Sequence, residues 1–161
     1  MPVNETLTPP LVLFVDDEPE VLDAIRRVLS LHDQDWDTEF AYNGKQALEL
    51  MEKRPADVVV TDMAMPIMDG KELIDRLSDR FPAAVPVILS GHWNESSAFA
   101  QFGPRARYLS KPVSSELLAW TVRQAIFESR SNSISTQPMG WSQDLARLIH
   151  RGPENCMADV A

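Results

Sequence analysis

The stretch LVLFVDDEPE, residues 11–20, decides the fold class of this chain. Its first five residues are all apolar, which is typical of a strand buried on both faces of a parallel sheet. Three acidic residues follow, and the apolar positions from Glu18 to Leu31 then recur at helical spacing, with Asp17 placed to cap the helix and Pro19 in its first turn. A buried strand that leads into an amphipathic helix is the repeating unit of an α/β fold.

Four more units of this kind follow, up to Glu128. The remaining strands are predicted at Trp36–Phe40, Val58–Thr61, Val85–Leu89 and Arg107–Ser110. The remaining helices are predicted from Asn43-Gly44 to about Lys53, from Gly70 to Arg80, from Asn94 to Phe102, and from Ser114 or Ser115 to Glu128. The sequence therefore predicts an α/β fold in which five βα units surround a parallel sheet.

Composition narrows the classes of function. The chain has 161 residues, about one domain, with 24 acidic against 15 basic residues, and no basic stripe, so we do not expect it to bind nucleic acid directly. It has no apolar run long enough for a membrane helix and no secretory signal, so we expect it to be cytoplasmic. The single cysteine, Cys156, and three scattered histidines cannot form a zinc pattern, so we expect any metal to be held by oxygen atoms.

The chain divides into three parts by composition. We predict an N-terminal arm over residues 1–9, one domain over residues 10–129, and a linker with a short amphipathic tail over residues 130–161. In the tail, apolar residues recur at helical spacing between Trp141 and Ile149, with Ser142 a candidate cap and Gly152-Pro153 a stop. This segment either lies back on the main body or docks a partner.

Polar side chains stand where the predicted strands end. The first strand ends in Asp16-Asp17, the third in Asp62, the fourth in Ser90, and the fifth leads into Lys111. In a doubly wound sheet these residues converge, and three neighbouring carboxylates favour a divalent cation, for which Mg²⁺ is the natural choice. A cation, an ammonium and a hydroxyl around one aspartate nucleophile form a cradle for a phosphoryl group.

At these residues the chain resembles the receiver domain of two-component response regulators, over about residues 10–128. The resemblance also includes the loop Met65-Pro66-Ile67-Met68-Asp69-Gly70, Ser90-Gly91 after the fourth strand, and Tyr108 three residues before Lys111-Pro112. It implies a doubly wound, five-stranded parallel sheet with helices on both faces and the flavodoxin-like strand order 2-1-3-4-5, for which a receiver is a known example.

The resemblance implies a role for each site residue. Asp62 corresponds to the phosphoacceptor that takes a phosphoryl group from a histidine kinase or phosphotransfer protein. Asp17, Asp62 and the backbone carbonyl of Ala64 correspond to Mg²⁺ ligands, with Asp16 acting through water. Lys111 corresponds to the residue that contacts a phosphoryl oxygen, and its bond to the following proline is expected to be cis.

The resemblance also implies a switch. Ser90 and Tyr108 correspond to the pair that moves on phosphorylation and rearranges the face of the fourth helix, fifth strand and fifth helix, with Gly91 leaving room for the motion. Ala64 and His92 correspond to positions that tune dephosphorylation. The run Leu89 to His92 also resembles receivers fused to HD-type output modules.

Three functions remain open at this point. The chain is a phosphorylation-dependent switch without catalytic output, a pseudo-receiver that binds partners unphosphorylated, or a Mg²⁺-dependent aspartyl-phosphate phosphatase. The phosphatase is disfavoured because such an enzyme needs a second acidic residue two positions after the nucleophile Asp62, and this chain has Ala64 there. Output runs through a downstream target, a phosphorelay or a homodimer on the switch face, and we hypothesise that the tail covers this face until phosphorylation.

Overall fold

The computed structural model describes residues 8–91 and 100–135. The predictions for residues 1–7, for His92, for most of the fourth helix and for the segment Trp141–Ile149 lie outside these residues. Residues 100–102 are helical and are followed by a 3-10 turn at Gly103–Arg105. No helix of the described ranges has the length and apolarity that crossing a membrane requires.

Five strands form one parallel sheet. They are β1 (Leu11–Val15), β2 (Asp37–Ala41), β3 (Val58–Asp62), β4 (Val85–Ser90) and β5 (Arg107–Ser110). Their order is β2-β1-β3-β4-β5, and all neighbouring pairs are parallel, which confirms the predicted fold. The order reverses between β1 and β3, so a ligand site is expected beyond the carboxyl ends of these two strands.

The helices cover both faces of the sheet. They are α1 (Pro19–Ser30), α2 (Gly44–Lys53), α3 (Gly70–Arg80) and a fourth that we name the long helix (Ser115–Ser135). Alternate residues of β1 point to opposite faces, so Val12 and Phe14 pack with α1 and the long helix, whereas Leu11, Leu13 and Val15 pack with α2 and α3.

Two of the helices begin with side-chain caps. Asn43 accepts a hydrogen bond from the Gln46 amide at the start of α2, and Asp69 accepts one from the Glu72 amide at the start of α3. The predicted cap by Asp17 is wrong, because α1 is preceded by Glu18 and has no side-chain cap. Pro19 at the first helical position needs no hydrogen-bond acceptor there.

The fifth predicted helix extends further than the sequence indicates. The composition predicts a linker from residue 130 onward, but the long helix continues through Ser135, so this prediction is wrong for residues 130–135. Serine is tolerated there because the hydroxyls of Ser131 and Ser133 donate to the carbonyl oxygens of Phe127 and Ser129, one turn earlier. The three-part division of the chain stays a prediction.

Candidate functional site

Three carboxylates meet where β1 and β3 end. One carboxylate oxygen from each of Asp16, Asp17 and Asp62 lies within 4.8 Å of the other two. The Asp16 side chain is 4% exposed and that of Asp62 is 13% exposed, so two of the three charges are largely removed from water. The strand order brings them together, since β1 and β3 are neighbours although Asp16 and Asp62 are 46 positions apart in the chain.

Asp16 is fixed by both of its carboxylate oxygens. Oδ1 accepts a hydrogen bond of 2.9 Å from the Glu18 amide, at the turn into α1. Oδ2 lies 3.3 Å from Nζ of Lys111. The carboxylate is therefore held in place by the turn on one side and by a cation on the other.

Lys111 supplies the positive charge of the site. It follows β5 directly, its amide donates to the Ser90 carbonyl over 3.0 Å, and its bond to Pro112 is cis, as expected. Besides its contact with Asp16, Nζ lies 3.7 Å from Oδ1 of Asp62. One ammonium group thus lies between two of the three carboxylates.

The surroundings of Asp62 raise the pKa of its carboxyl group. Its Oδ1 accepts a hydrogen bond of 2.8 Å from the Met63 amide. Burial raises the pKa of Asp62 above its ordinary value, and the negative charge of Asp16 raises the pKa further. The charge of Lys111 and the amides of Met63 and Ala64 act in the opposite direction without reversing the shift.

The donor set fits a hard divalent cation. Three carboxylates face one ammonium group, so the cluster retains an excess of negative charge. Carboxylate oxygens without histidine or cysteine are the donors that Mg²⁺ and Ca²⁺ prefer. A bound cation would offset the repulsion by Asp16, which is one of the causes of the raised pKa of Asp62.

A surface depression opens onto Asp62 and Lys111. Its wall includes Ala64, Ser90 and Gly91, so the structure places these predicted residues beside the carboxylates. A Cβ atom added to Gly91 would meet no described atom within 4 Å. The expected role of Gly91 in leaving room for the switch motion stays a prediction.

Tyr108 lies on β5, in a cluster next to the depression. It packs against a group of buried residues that includes Met63, and its ring centroid is 6.4 Å from that of Phe102. Burial raises the pKa of its hydroxyl. Met63 follows Asp62 directly, so the Tyr108 cluster and the carboxylate site share one stretch of backbone.

Gly70 lies at the site, although the sequence identifies it only as the end of the loop before the third helix. Its amide donates to the Met63 carbonyl over 3.0 Å, and a Cβ at this position would collide with the Asp62 carbonyl and lie 2.9 Å from the Met63 Cα. The start of α3 therefore packs directly against the backbone that carries Asp62. The signal in the sequence was a helix start at Asp69-Gly70, but the close approach depends on tertiary packing.

The loop before α3 contains a second feature that the sequence did not reveal. Ile67 has a φ angle of +73° and is 99% exposed. A β-branched residue rarely adopts this left-handed conformation. Met65 and Met68, on either side of it, are buried in the core and hold the loop in place.

Comparison with known proteins agrees with the fold and the site. Residues 12–123 match the family model described as the response regulator receiver domain. The chain therefore belongs to the receiver domain family, whose members are signalling switches rather than conventional enzymes. These domains bind Mg²⁺ at an acidic pocket and partner with histidine kinases.

The relatives that this chain matches are longer proteins. The chain is 32% identical to the sensor histidine kinase TmoS of Ectopseudomonas mendocina over 88% of this chain and 15% of that protein. It is 35% identical to the positive alginate biosynthesis regulatory protein of Pseudomonas aeruginosa over 76% of this chain and 48% of that protein. It thus spans less than half the length of either relative.

Solved structures show the same fold. The signal receiver domain of an HD domain-containing protein from Pseudomonas fluorescens matches with a TM-score of 0.72 and 27% identity, over 83% of this chain and 98% of that one. A CheY-like receiver domain protein from Methanospirillum hungatei matches with a TM-score of 0.68 and 21% identity, over 78% of this chain and 99% of that one.

Proposed function

We propose that this chain is a phosphorylation-dependent switch that accepts a phosphoryl group on Asp62 from a histidine kinase or phosphotransfer protein. The observation that supports this most is the carboxylate cluster with Nζ of Lys111 3.3 Å from Asp16 and 3.7 Å from Asp62. The transfer needs a nucleophile with positive charge around it, and these residues supply both.

In the proposed transfer, a carboxylate oxygen of Asp62 attacks the phosphorus of a phosphohistidine. The new P–O bond forms as the P–N bond breaks, and the imidazole nitrogen keeps the electron pair and takes up a proton. Lys111 stabilises the negative charge on the phosphoryl oxygens, since its Nζ already lies beside Asp62. Asp16, in contact with the same ammonium, keeps Lys111 positioned for this role.

We propose that the acidic cluster holds Mg²⁺. Asp17, Asp62 and the Ala64 backbone carbonyl would be direct ligands, and Asp16 would act through water. The ion, when bound, supplies positive charge to the phosphoryl oxygens. The residues fit this ion because the cluster is acidic and offers only oxygen donors.

We propose that Ser90 and Tyr108 form the switch. Ser90 lies on the wall of the depression, where its hydroxyl can donate to a phosphoryl oxygen. Tyr108 packs in the cluster that contains Met63, so a shift of the backbone after Asp62 alters the surroundings of the ring. The signal would then leave through the face of the fourth predicted helix, β5 and the long helix, to a protein target or a second copy, with Ala64 and His92 tuning the lifetime of the phosphorylated state.

Intact-protein mass spectrometry tests the proposal. The full chain is incubated with Mg²⁺ and acetyl phosphate, beside Asp62→Ala and a control, Asp79→Asn, that changes an exposed aspartate of α3. We expect a single phosphoryl adduct on the wild type and the control and none on Asp62→Ala. If neither wild type nor Asp62→Ala gains an adduct, and a beryllofluoride mimic gives no Mg²⁺-dependent spectral shift, the chain is an unphosphorylated pseudo-receiver.

A further inference from the structure

The long helix exposes large apolar side chains on the side away from the sheet. Leu117 is 47% exposed, Trp120 is 57% exposed and Phe127 is 75% exposed. At 100° per residue these three positions fall within about 80° of the helix circumference. We name this surface the outer face of the long helix.

The opposite side of the helix is already used by the core. Leu118, Ala119, Val122 and Ala125 are buried and pack in the cluster that includes β1 and β3. The outer face therefore adds nothing to the core, and an apolar surface of this kind beside water is typical of a docking site.

The sequence after the long helix contains a segment with a matching apolar face. Trp141, Leu145, Leu148 and Ile149 fall within about 100° of one side if residues 141–149 are helical. A helix of this length is not stable by itself in water, so it needs an apolar surface to pack on. Pro138 and Gly140, between the two segments, favour a change of chain direction.

We propose that the segment Trp141–Ile149 of the same chain packs antiparallel on the outer face of the long helix. Trp141 to Leu148 is a step of seven residues, and so is Phe127 to Trp120. Both steps correspond to about 10 Å along a helix, so Trp141 beside Phe127 places Leu148 beside Trp120. The apolar residues of the two segments therefore match in spacing.

The connection between the segments is long enough for this arrangement. Phe127 lies eight residues before Ser135, which is about 12 Å along the helix. Residues 136–140 in extended form span up to about 20 Å between Ser135 and Trp141. A short tether of this length also gives a local concentration in the millimolar range, which favours the same chain over a second copy in dilute solution.

Paramagnetic relaxation measured by NMR on the full chain tests this contact. In a Cys156→Ser background, a nitroxide is attached through Gln143→Cys, on the polar side of the segment, and the protein is labelled with ¹⁵N. We expect the amides between Leu117 and Phe127 to lose most of their intensity relative to the reduced sample, and those of α2 and α3, across the sheet, to keep theirs.

Matched substitutions show whether the apolar side of the segment makes the contact, or whether the segment is near the long helix only because the chain is short. Leu145→Asp puts a charge on the apolar side of the segment and should restore the lost intensities, whereas Ala146→Asp adds the same charge outside the apolar side and should not. Phe127→Asp, at an exposed position of the outer face, should act like Leu145→Asp.

Three outcomes overturn the proposal. The first is an absence of selective broadening on the long helix, and the second is broadening that survives Leu145→Asp. The third is equal broadening when ¹⁵N-labelled protein without nitroxide is mixed with unlabelled nitroxide protein, because the occupant is then a second copy. All samples are unphosphorylated, so the result is independent of the function proposed for Asp62.

Discussion

Replacing Asp62 by asparagine should make the metal-free protein more stable, although it removes the proposed phosphoacceptor. The ionised Asp62 side chain is buried beside two other carboxylates, and its pKa is raised, so the folded state disfavours its charge. Asparagine has nearly the same shape, and its carbonyl can still accept the hydrogen bond from the Met63 amide. The substitution therefore removes a charge with little change in packing.

The size of the effect follows from the burial of the charge. Burial is the largest cause of the raised pKa of Asp62, and the charge of Lys111, whose Nζ lies 3.7 Å away, acts in the opposite direction more strongly than the charge of Asp16 adds to the shift. A buried polar or charged group whose hydration is not fully replaced costs about 1–3 kcal/mol, and the Asp62 side chain is 13% exposed, so removing its charge should stabilise the protein by about 2 kcal/mol.

Urea denaturation followed by circular dichroism measures the gain. At pH 7 without divalent ions, Asp62→Asn should unfold with a free energy about 2 kcal/mol higher than the wild type. Because the pKa of Asp62 is higher in the folded state, the stability of the wild type falls as pH rises from its ordinary pKa of 3.8 through the raised value. The gain should therefore vanish below pH 3.8, where Asp62 is protonated in both states.

Magnesium should reverse the order. A ligand at 100 times its dissociation constant stabilises the folded state by about 2.7 kcal/mol, and the wild type should receive more of this than Asp62→Asn, which lacks one carboxylate. The exposed control Asp79→Asn should change stability by less than about 0.5 kcal/mol in all conditions. A less stable Asp62→Asn at pH 7 without metal would refute the reasoning.

Three further predictions use the same denaturation assay. Ile67→Gly should stabilise the protein by about 0.5 kcal/mol, because glycine adopts φ of +73° without the left-handed penalty of about 1–2 kcal/mol, while its greater freedom in the unfolded chain costs about 0.4–1 kcal/mol and the exposed side chain loses no packing. Gly70→Ala should destabilise it by about 2 kcal/mol and weaken Mg²⁺ binding, because the new Cβ collides with the Asp62 carbonyl. Arg130→Ala should cost about 1 kcal/mol without affecting Mg²⁺ binding, because Arg130 contacts Asp57 at the other end of the sheet.

Each of these has its own control. For Ile67, the variant Ile67→Ala keeps a Cβ and should recover less of the penalty than glycine; equal stability of the two would contradict the role of φ. For Gly70, an alanine at Gly91, where a Cβ has open space among the described atoms, should leave Mg²⁺ binding intact. For Arg130, a loss of Mg²⁺ affinity would show that the effect of the substitution spreads through the sheet.

The fold was predictable from the sequence because each strand and helix has a local signal. Local signals include the apolar run Leu11–Val15, the Val-rich third strand and the helical spacing of apolar residues. The strand order has no such signal and was predicted from the resemblance. The convergence of Asp16, Asp17, Asp62 and Lys111 was predictable as well, since the carboxyl ends of neighbouring parallel strands must meet.

The errors and omissions concern features that have no local signal. Asp17 has the residue type of a helix cap, yet tertiary packing directs it to the carboxylate cluster instead. The serines after Arg130 resemble a linker by composition, but their hydroxyls satisfy helix carbonyls. The positive φ of Ile67 is unexpected for a β-branched residue, and the burial of Met65 and Met68 in the core beside it is a tertiary feature that the local sequence does not indicate.

Arg130 joins the two ends of the described domain. Its Nη2 donates to the Thr8 carbonyl over 2.8 Å, and its Nε lies 3.3 Å from Asp57, whose Oδ2 accepts from the first amide of β1. The chain therefore enters and leaves the domain at the amino ends of the strands, opposite Asp62. Further domains can therefore be joined to either end of this domain without covering the depression at Asp62. This is consistent with relatives of very different length.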